Sequence, residues 1–468
     1  MAEKTWGSAP YWGLGYDWDP DWLLTERQRE LRALLIELCE REMRANAKAS
    51  DDDLIYPRRN LELLGEHGFL ALTVPEELGG LGEDHVGFAM AAETIARYGC
   101  ASTAMCWVMH TAAVQAIMLR PTDALIDRYI RPLNTGKIGT LSYSDPETGS
   151  HFWYPISSGA ERTETGFHVR KKASWTTSAG FADFYVVQTT SPDFSGYDDL
   201  SVFVIDGEDA IAQPATWDAM GLRGNQSGPL EVPGVDIPAD RIVGPAGDGA
   251  ASNDESVDPW FLVGSSAVWN GLAMGAIDIA KRQTTRKRHA DVGLRVADYP
   301  TIQDYVGEAV MDTNACRIFT FSVAQAMDGA TDHNRRVLAP GEFARASYLH
   351  WAWQIKFEAA KNTAHVVDKM LHACGGSGYK RGDMELERYL RDAKAGWVMG
   401  PTNEVLRQFV GKAVLLGFDA LDYWNQTYNR RAVENELRKL DAVGKRELAE
   451  QLLAEAAQAQ GEGATATA

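Results

Sequence analysis

Two blocks of long helical periodicity enclose a stretch, Ile138 to Val243, where apolar residues fall in short β-like runs, and this order restricts the fold most. The runs include Phe167-His168-Val169, Phe184-Tyr185-Val186-Val187 and Ser201-Val202-Phe203-Val204-Ile205. Turn clusters such as Ser191-Pro192-Asp193 and Asp206-Gly207 part them, which predicts a compact antiparallel sheet or barrel. Before it, Thr25-Glu26-Arg27-Gln28 reads as a capping box, followed by an apolar stripe of Leu31, Leu34, Leu35 and Leu38. Helical runs continue at Asn60–Gly68, Val86–Tyr98, Thr103–Met118 and Thr122–Leu133. After it come Pro259–Arg286, Thr301–Met327, Pro340–Cys374 and Val405–Tyr428, then a charged amphipathic helix from Arg431 to Gln460. The expected division is an irregular arm (1–24), a helical domain (25–136), a β domain (137–245), a helical bundle (256–430), and a helical extension with a disordered tail (431–468). The fold class is α+β.

With a net charge of −19 over 468 residues, a nucleic-acid surface would have to be a local exception, and none is expected. Five cysteines, Cys39, Cys100, Cys106, Cys316 and Cys374, lack CxxC spacing, which argues for a reducing compartment and against a zinc site. The N-terminus has no basic-then-apolar leader, and no apolar run reads as long enough to span a bilayer, so a cytoplasmic protein is expected.

From Leu371 to Val405 a helix breaks at Gly375-Gly376-Ser377-Gly378, resumes through Glu387-Arg388-Tyr389-Leu390-Arg391-Asp392-Ala393-Lys394, and turns at Gly400-Pro401 into a helix opening Thr402-Asn403-Glu404. Glycines at such a break let a backbone approach a phosphate or a ring. This string resembles the C-terminal signature of the acyl-CoA dehydrogenase family of flavoproteins. Pro75-Glu76-Glu77-Leu78-Gly79-Gly80-Leu81-Gly82 resembles another segment of that family, and the likeness covers roughly residues 25–430. It implies an N-terminal helical domain, a middle antiparallel β-barrel, a C-terminal four-helix bundle, bound FAD, an acyl-CoA-type substrate, and a homotetramer or dimer. It also implies an electron-transfer flavoprotein or flavin reductase as partner, with no nucleic acid and no membrane.

The resemblance assigns roles residue by residue. In LSYSDPETGS (141–150), Ser142 and Ser144 fall at the flavin and Ser150 at the acyl chain. In KKASWTTSAG (171–180), Trp175 falls where an indole stacks on the isoalloxazine and Thr177 where a hydroxyl meets a flavin nitrogen. Arg286 falls at the FAD pyrophosphate, often supplied by a neighbouring subunit, and a guanidinium suits phosphate oxygens. The family's usual RxxFG is replaced by RKRHADVGLRVADYPTIQ, ending at Gln303. His372, Gly375, Gly376, Thr402 and Glu404 also fall on FAD-facing positions, whereas Arg223 reads as structural and Arg391-Asp392 as a structural ion pair.

Both positions that hold the family's catalytic carboxylate lack one. The turn before Thr402-Asn403-Glu404 offers Gly400, assigned to substrate contact, and the alternative position offers Phe261. Asp258 and Glu255 are the nearest carboxylates on that helix, and His110, on an N-terminal helix, is a second candidate base. The candidate catalytic residues are Asp258 and His110, and no metal site is expected. Three readings follow: oxidation of an acyl-CoA thioester with a non-standard base, base-independent flavin chemistry (a two-component monooxygenase or an acyl-CoA desulfinase), and a non-catalytic flavin scaffold.

Overall fold

The computed structural model describes residues 18, 21–148, 155, 157–194, 199–213, 217–382, 384–417, 434 and 437–465. Most of the N-terminal arm, Ser150 and residues 418–433 lie outside these. The chain opens with helices α1 (Glu26–Leu38), α2 (Arg44–Asp52), α3 (Arg58–Glu66), α4 (His85–Thr94), α5 (Ala101–Leu119) and the short α6 (Asp123–Leu125). Thr25 caps α1 in a capping box with Gln28, as its sequence dictates. Helix α5 carries almost no polar face because it is buried on all sides, with Met105, Cys106, Trp107 and Val108 wholly inside.

Eight strands follow: β1 (Gly139–Ser142), β2 (Gly159–Arg162), β3 (Gly166–Ala173), β4 (Phe184–Thr190), β5 (Leu200–Asp206), β6 (Ile211–Ala212), β7 (Leu230–Pro238) and β8 (Ile242–Val243). They form one sheet ordered β6-β7-β3-β2-β4-β5-β8, with β1 also against β4. The expected closed antiparallel barrel is therefore corrected to a mixed sheet. Strand β1 runs parallel to β4, with Gly139 opposite Phe184, and β2 also meets β4 in parallel. Glycine is required at position 139, where an added Cβ would stand 2.2 Å from the Phe184 ring. Strand alternation splits the sheet's side chains between two cores. Phe184, Val186, Val202 and Val204 face the helices. Tyr185, Val187, Phe203 and Ile205 pack on the opposite side with Val169, Val232 and Ile237.

Helices then return as α7 (Gly249–Ser252), α8 (Asp258–Arg286), α9 (Pro300–Ala330), α10 (Leu349–Cys374), α11 (Gly376–Tyr379), α12 (Leu386–Val398) and α13 (Asn403–Leu416). Helix α10 starts at Leu349 rather than at Pro340. A last helix, Ala442–Thr465, runs through most of the tail expected to be irregular. Two helical stretches, Ala101–Leu119 and Gly249–Arg286, are long and apolar enough by composition to cross a membrane, contrary to the sequence reading. They are 89% and 94% buried inside the molecule, as core helices.

Helix α12 is bolted to the sheet domain. The Leu222 amide donates to the Asp392 carboxylate at 2.6 Å, and Arg391 pairs with Asp51 of α2. Gly221 lies so close that a Cβ would meet the Arg391 carbonyl oxygen at 2.2 Å. Arg391 and Asp392 are thus structural through separate partners, Asp51 and Glu387 for the one and the Leu222 amide for the other, in place of the ion pair expected between them.

Candidate functional site

Near the end of β1, Tyr143 reaches the start of α8, and Ser142, Ser144, Trp175 and Asp258 lie around this junction. Ser144 Oγ lies 3.1 Å from the Trp175 carbonyl oxygen, and Ser142 Oγ lies 2.9 Å from Thr176 Oγ1. Thr177 Oγ1 shares a hydrogen bond of 2.9 Å with Ser227 Oγ. Ser142 is wholly buried, so it braces the junction instead of presenting a hydroxyl to a cofactor. Trp175 is 59% exposed and meets Trp217 edge-on at 5.4 Å, which leaves an indole face open. Trp217 in turn donates from Nε1 to the Leu222 carbonyl, linking this indole to the loop that holds α12.

Tyr143, between Ser142 and Ser144, turns its side chain inward beside Asp258 and Ser252. Both Tyr143 and Ser252 are buried there. Asp258, the first residue of α8, is half-buried. Burial, and secondarily the Asp254 carboxylate, push its carboxyl up to about 8. Glu255 is excluded as a base. It is wholly buried and accepts the amides of Ala344 (2.6 Å), Arg345 (2.9 Å) and Ala346 (2.9 Å).

His110 is a correction to the catalytic pair. It is wholly buried, its Nε2–H donates to the Leu70 carbonyl at 2.8 Å, and its Nδ1 accepts the Gly139 amide at 3.0 Å. Burial brings its pKa down to about 4, so the imidazole stays neutral and ties β1 to α5. Its stability contribution is present above the unfolded value of 6.5 and is lost as pH falls through about 4. Replacing His110 by Ala should cost about 2–3 kcal/mol in chemical denaturation, because a buried amide and carbonyl lose their partner. A stable His110→Ala protein with a specific catalytic defect would contradict this assignment.

The turn at Gly400 is organised by Lys356, which the sequence reading missed. Its Nζ is buried among the carbonyls of Gly396 (2.8 Å), Met399 (3.0 Å) and Pro401 (2.9 Å) and Asn403 Oδ1 (3.1 Å). The ammonium thereby satisfies carbonyls left over at the end of α12. A lysine on the stripe Ala352, Ile355, Ala359, Ala360 and Thr363 was the available signal. Thr402 caps α13, its hydroxyl accepting the Val405 amide, and Glu404 is exposed. Phe261 belongs to the apolar core.

His372, Gly375 and Gly376 lie exposed at the far end of α10 from Lys356. An added Cβ at either glycine would meet nothing within 4 Å, so space beside the backbone is open. Arg286 ends α8, about 40 Å along the helix from Asp258. It lines a cleft of about 380 Å³ with Arg44, Arg97, Lys281 and Arg282. One chain thus does not bring Arg286 to the Trp175–Asp258 group. Among the described residues one trio, Asp84, Asp328 and His333, brings potential metal-ligand atoms together, but each already binds within the protein.

The acyl-CoA dehydrogenase N-terminal domain model matches residues 25–137 and the corresponding C-terminal domain model matches residues 263–415, together more than half of the chain. The chain belongs to the acyl-CoA dehydrogenase family. A probable acyl-CoA dehydrogenase of Mycobacterium leprae is 26% identical over 396 residues, covering 84% of this chain and 96% of the relative. The cyclohex-1-ene-1-carbonyl-CoA dehydrogenase of Geobacter metallireducens is 25% identical, covering 84% of this chain and 99% of the relative. The butyryl-CoA dehydrogenase structure from Megasphaera elsdenii superposes with a TM-score of 0.75 at 21% identity, covering 85% of this chain and all of the other.

Members of the acyl-CoA dehydrogenase family are FAD-dependent oxidoreductases, and this chain's residues fit the cofactor. The open indole of Trp175 and the unfilled space beside Gly375 and Gly376 are what a ring and a pyrophosphate require. Trp175→Ala should weaken FAD binding about tenfold, the worth of one aromatic contact, by flavin titration of apoprotein. Unchanged affinity would remove Trp175 from the site.

Proposed function

We propose that the protein oxidises the Cα–Cβ bond of an acyl-CoA thioester, with Asp258 in place of the usual carboxylate. The observation that carries this reading is Asp258 beside Tyr143, at the strand end that also places Ser144 against Trp175. The names of the relatives, acyl-CoA dehydrogenase and cyclohex-1-ene-1-carbonyl-CoA dehydrogenase, support a CoA thioester as substrate. FAD, when bound, supplies the hydride acceptor. Asp258 takes the Cα proton on a carboxylate oxygen. Ser144, Trp175 and Thr177 hold the flavin ring, Thr402, Glu404, His372, Gly375 and Gly376 the rest of the cofactor, and Gly400 and Ser150 contact the thioester. Arg286 serves the pyrophosphate of a neighbouring copy, since it lies a helix length from Asp258. This makes the working unit a dimer or homotetramer, with an electron-transferring flavoprotein or a flavin reductase as redox partner, in the cytoplasm.

Gly400 and Phe261, which leave both usual base positions without a carboxylate, favour a second reading: oxygenation or carbon–sulfur cleavage on the same scaffold. A third, a flavin-binding scaffold without catalysis, keeps the same ring contacts. Mass analysis of the thioester after turnover separates them. Dehydrogenation removes two hydrogens, oxygenation adds oxygen, desulfination releases sulfite, and a scaffold leaves every thioester intact.

A further inference from the structure

We propose that Asp254 is a positioning residue that acts through Asp258, its charge setting the pH at which Asp258 becomes free to accept a proton. This rests on the reading of Asp258 as the base. Asp254 lies in the π turn Asn253–Val257 and Asp258 opens the next helix, so the two carboxyls, four residues apart, fall on one face. Asp254 is exposed and Asp258 is half-buried, so the pair joins the inner carboxyl to the surface. The buried Tyr143, with Ser252 beside it, stands at the inner member.

The other charged groups around this turn are occupied. Glu255 points away and binds the amides of residues 344–346, with the Arg345 guanidinium 4.0 Å off. Arg120 pairs with Asp248 at 2.8 Å, at the head of α7. Helix α5, packed on the same turn, contributes Cys106 and His110 as its titratable side chains, both wholly buried and bonded to backbone. Asp254 is therefore the one like charge acting on Asp258 among the described residues. Two neighbouring carboxyls do not ionise independently, so the first proton to leave makes the second harder to remove. A charge on Asp254 holds the proton on Asp258 and strengthens it as a base once that proton is gone.

The test is anaerobic reduction of the bound flavin by an acyl-CoA, followed from about pH 6 to 9 in wild type, Asp254→Asn and Asp258→Asn holoenzymes. In Asp254→Asn the midpoint of the rate profile should move down by about one pH unit, and the plateau at high pH should fall because the base is weaker. A rate profile that superposes on wild type would overturn the proposal, and so would a uniform loss with an unmoved midpoint. Asp258→Asn should slow the reduction by about 10³-fold. Reduction at the wild-type rate there would overturn the assignment of the base itself, and is distinguishable from an unmoved midpoint in the Asp254 variant.

Discussion

Asp258→Asn should lose flavin reduction by about 10³-fold while keeping bound FAD, because it removes the proton acceptor and leaves the ring contacts intact. The wild-type rate should rise with pH up to about 8, where the burial-raised Asp258 carboxyl gives up its proton. The same group acts on stability in the opposite sense. Its folded pKa lies above the unfolded value, so the folded state holds a proton that the unfolded chain has released. Stability therefore falls as pH rises from about 4 to about 8. An asparagine cannot ionise, so the variant should be more stable than wild type at pH 8, by about 2 kcal/mol for a half-buried carboxyl in partial contact with water. Thermal unfolding at both ends of that range measures it. A variant that is less stable than wild type at pH 8 would contradict the local electrostatics, whatever its activity.

The second large effect belongs to Lys356. Lys356→Met removes a three-hydrogen donor shared among four oxygens, of which the Gly396 carbonyl and Asn403 Oδ1 are buried and the Met399 and Pro401 carbonyls part-buried, and should cost about 3 kcal/mol. The damage is local before it is global. Helix α12 loses the group that satisfies its last carbonyls, and the Gly400 turn loses its anchor to α10. Hydrogen exchange should quicken first at residues 396–405, and FAD should be released at lower denaturant than in wild type. Unaltered exchange in that segment would show that the turn is held by packing alone.

Much of the fold could be read because long helices and β-branched strands carry their own periodicity. Helices α8, α9 and α13 begin within two residues of their expected starts, and β4 and β5 contain the expected runs. The sheet's pairing was not legible. Strand β1 is four residues, Gly-Thr-Leu-Ser, and nothing in so short a run encodes that it lies parallel to β4. Closure into a barrel is likewise a property of strand partners distant in sequence. His110 looked like a functional imidazole because its partners, Leu70 and Gly139, are 40 and 29 residues away and act through backbone groups that no side-chain pattern reports. Tyr143 sat inside a recognised motif, yet its direction toward Asp258 depends on where α8 begins. The glycine break was legible for the opposite reason, since its signal is local: α10 ends at Cys374 and the chain turns at Gly375.

On the proposed function, a CoA thioester gives its electrons to a flavin in this protein without a carboxylate at position 400. Anaerobic mixing of the purified holoenzyme with a panel of acyl-CoA thioesters, watched through the oxidised-flavin absorbance, measures this directly. Bleaching by at least one thioester, lost in Asp258→Asn, is the predicted result. A flavin that stays oxidised with every thioester would contradict it and leave oxygenation, carbon–sulfur cleavage or simple flavin binding in its place.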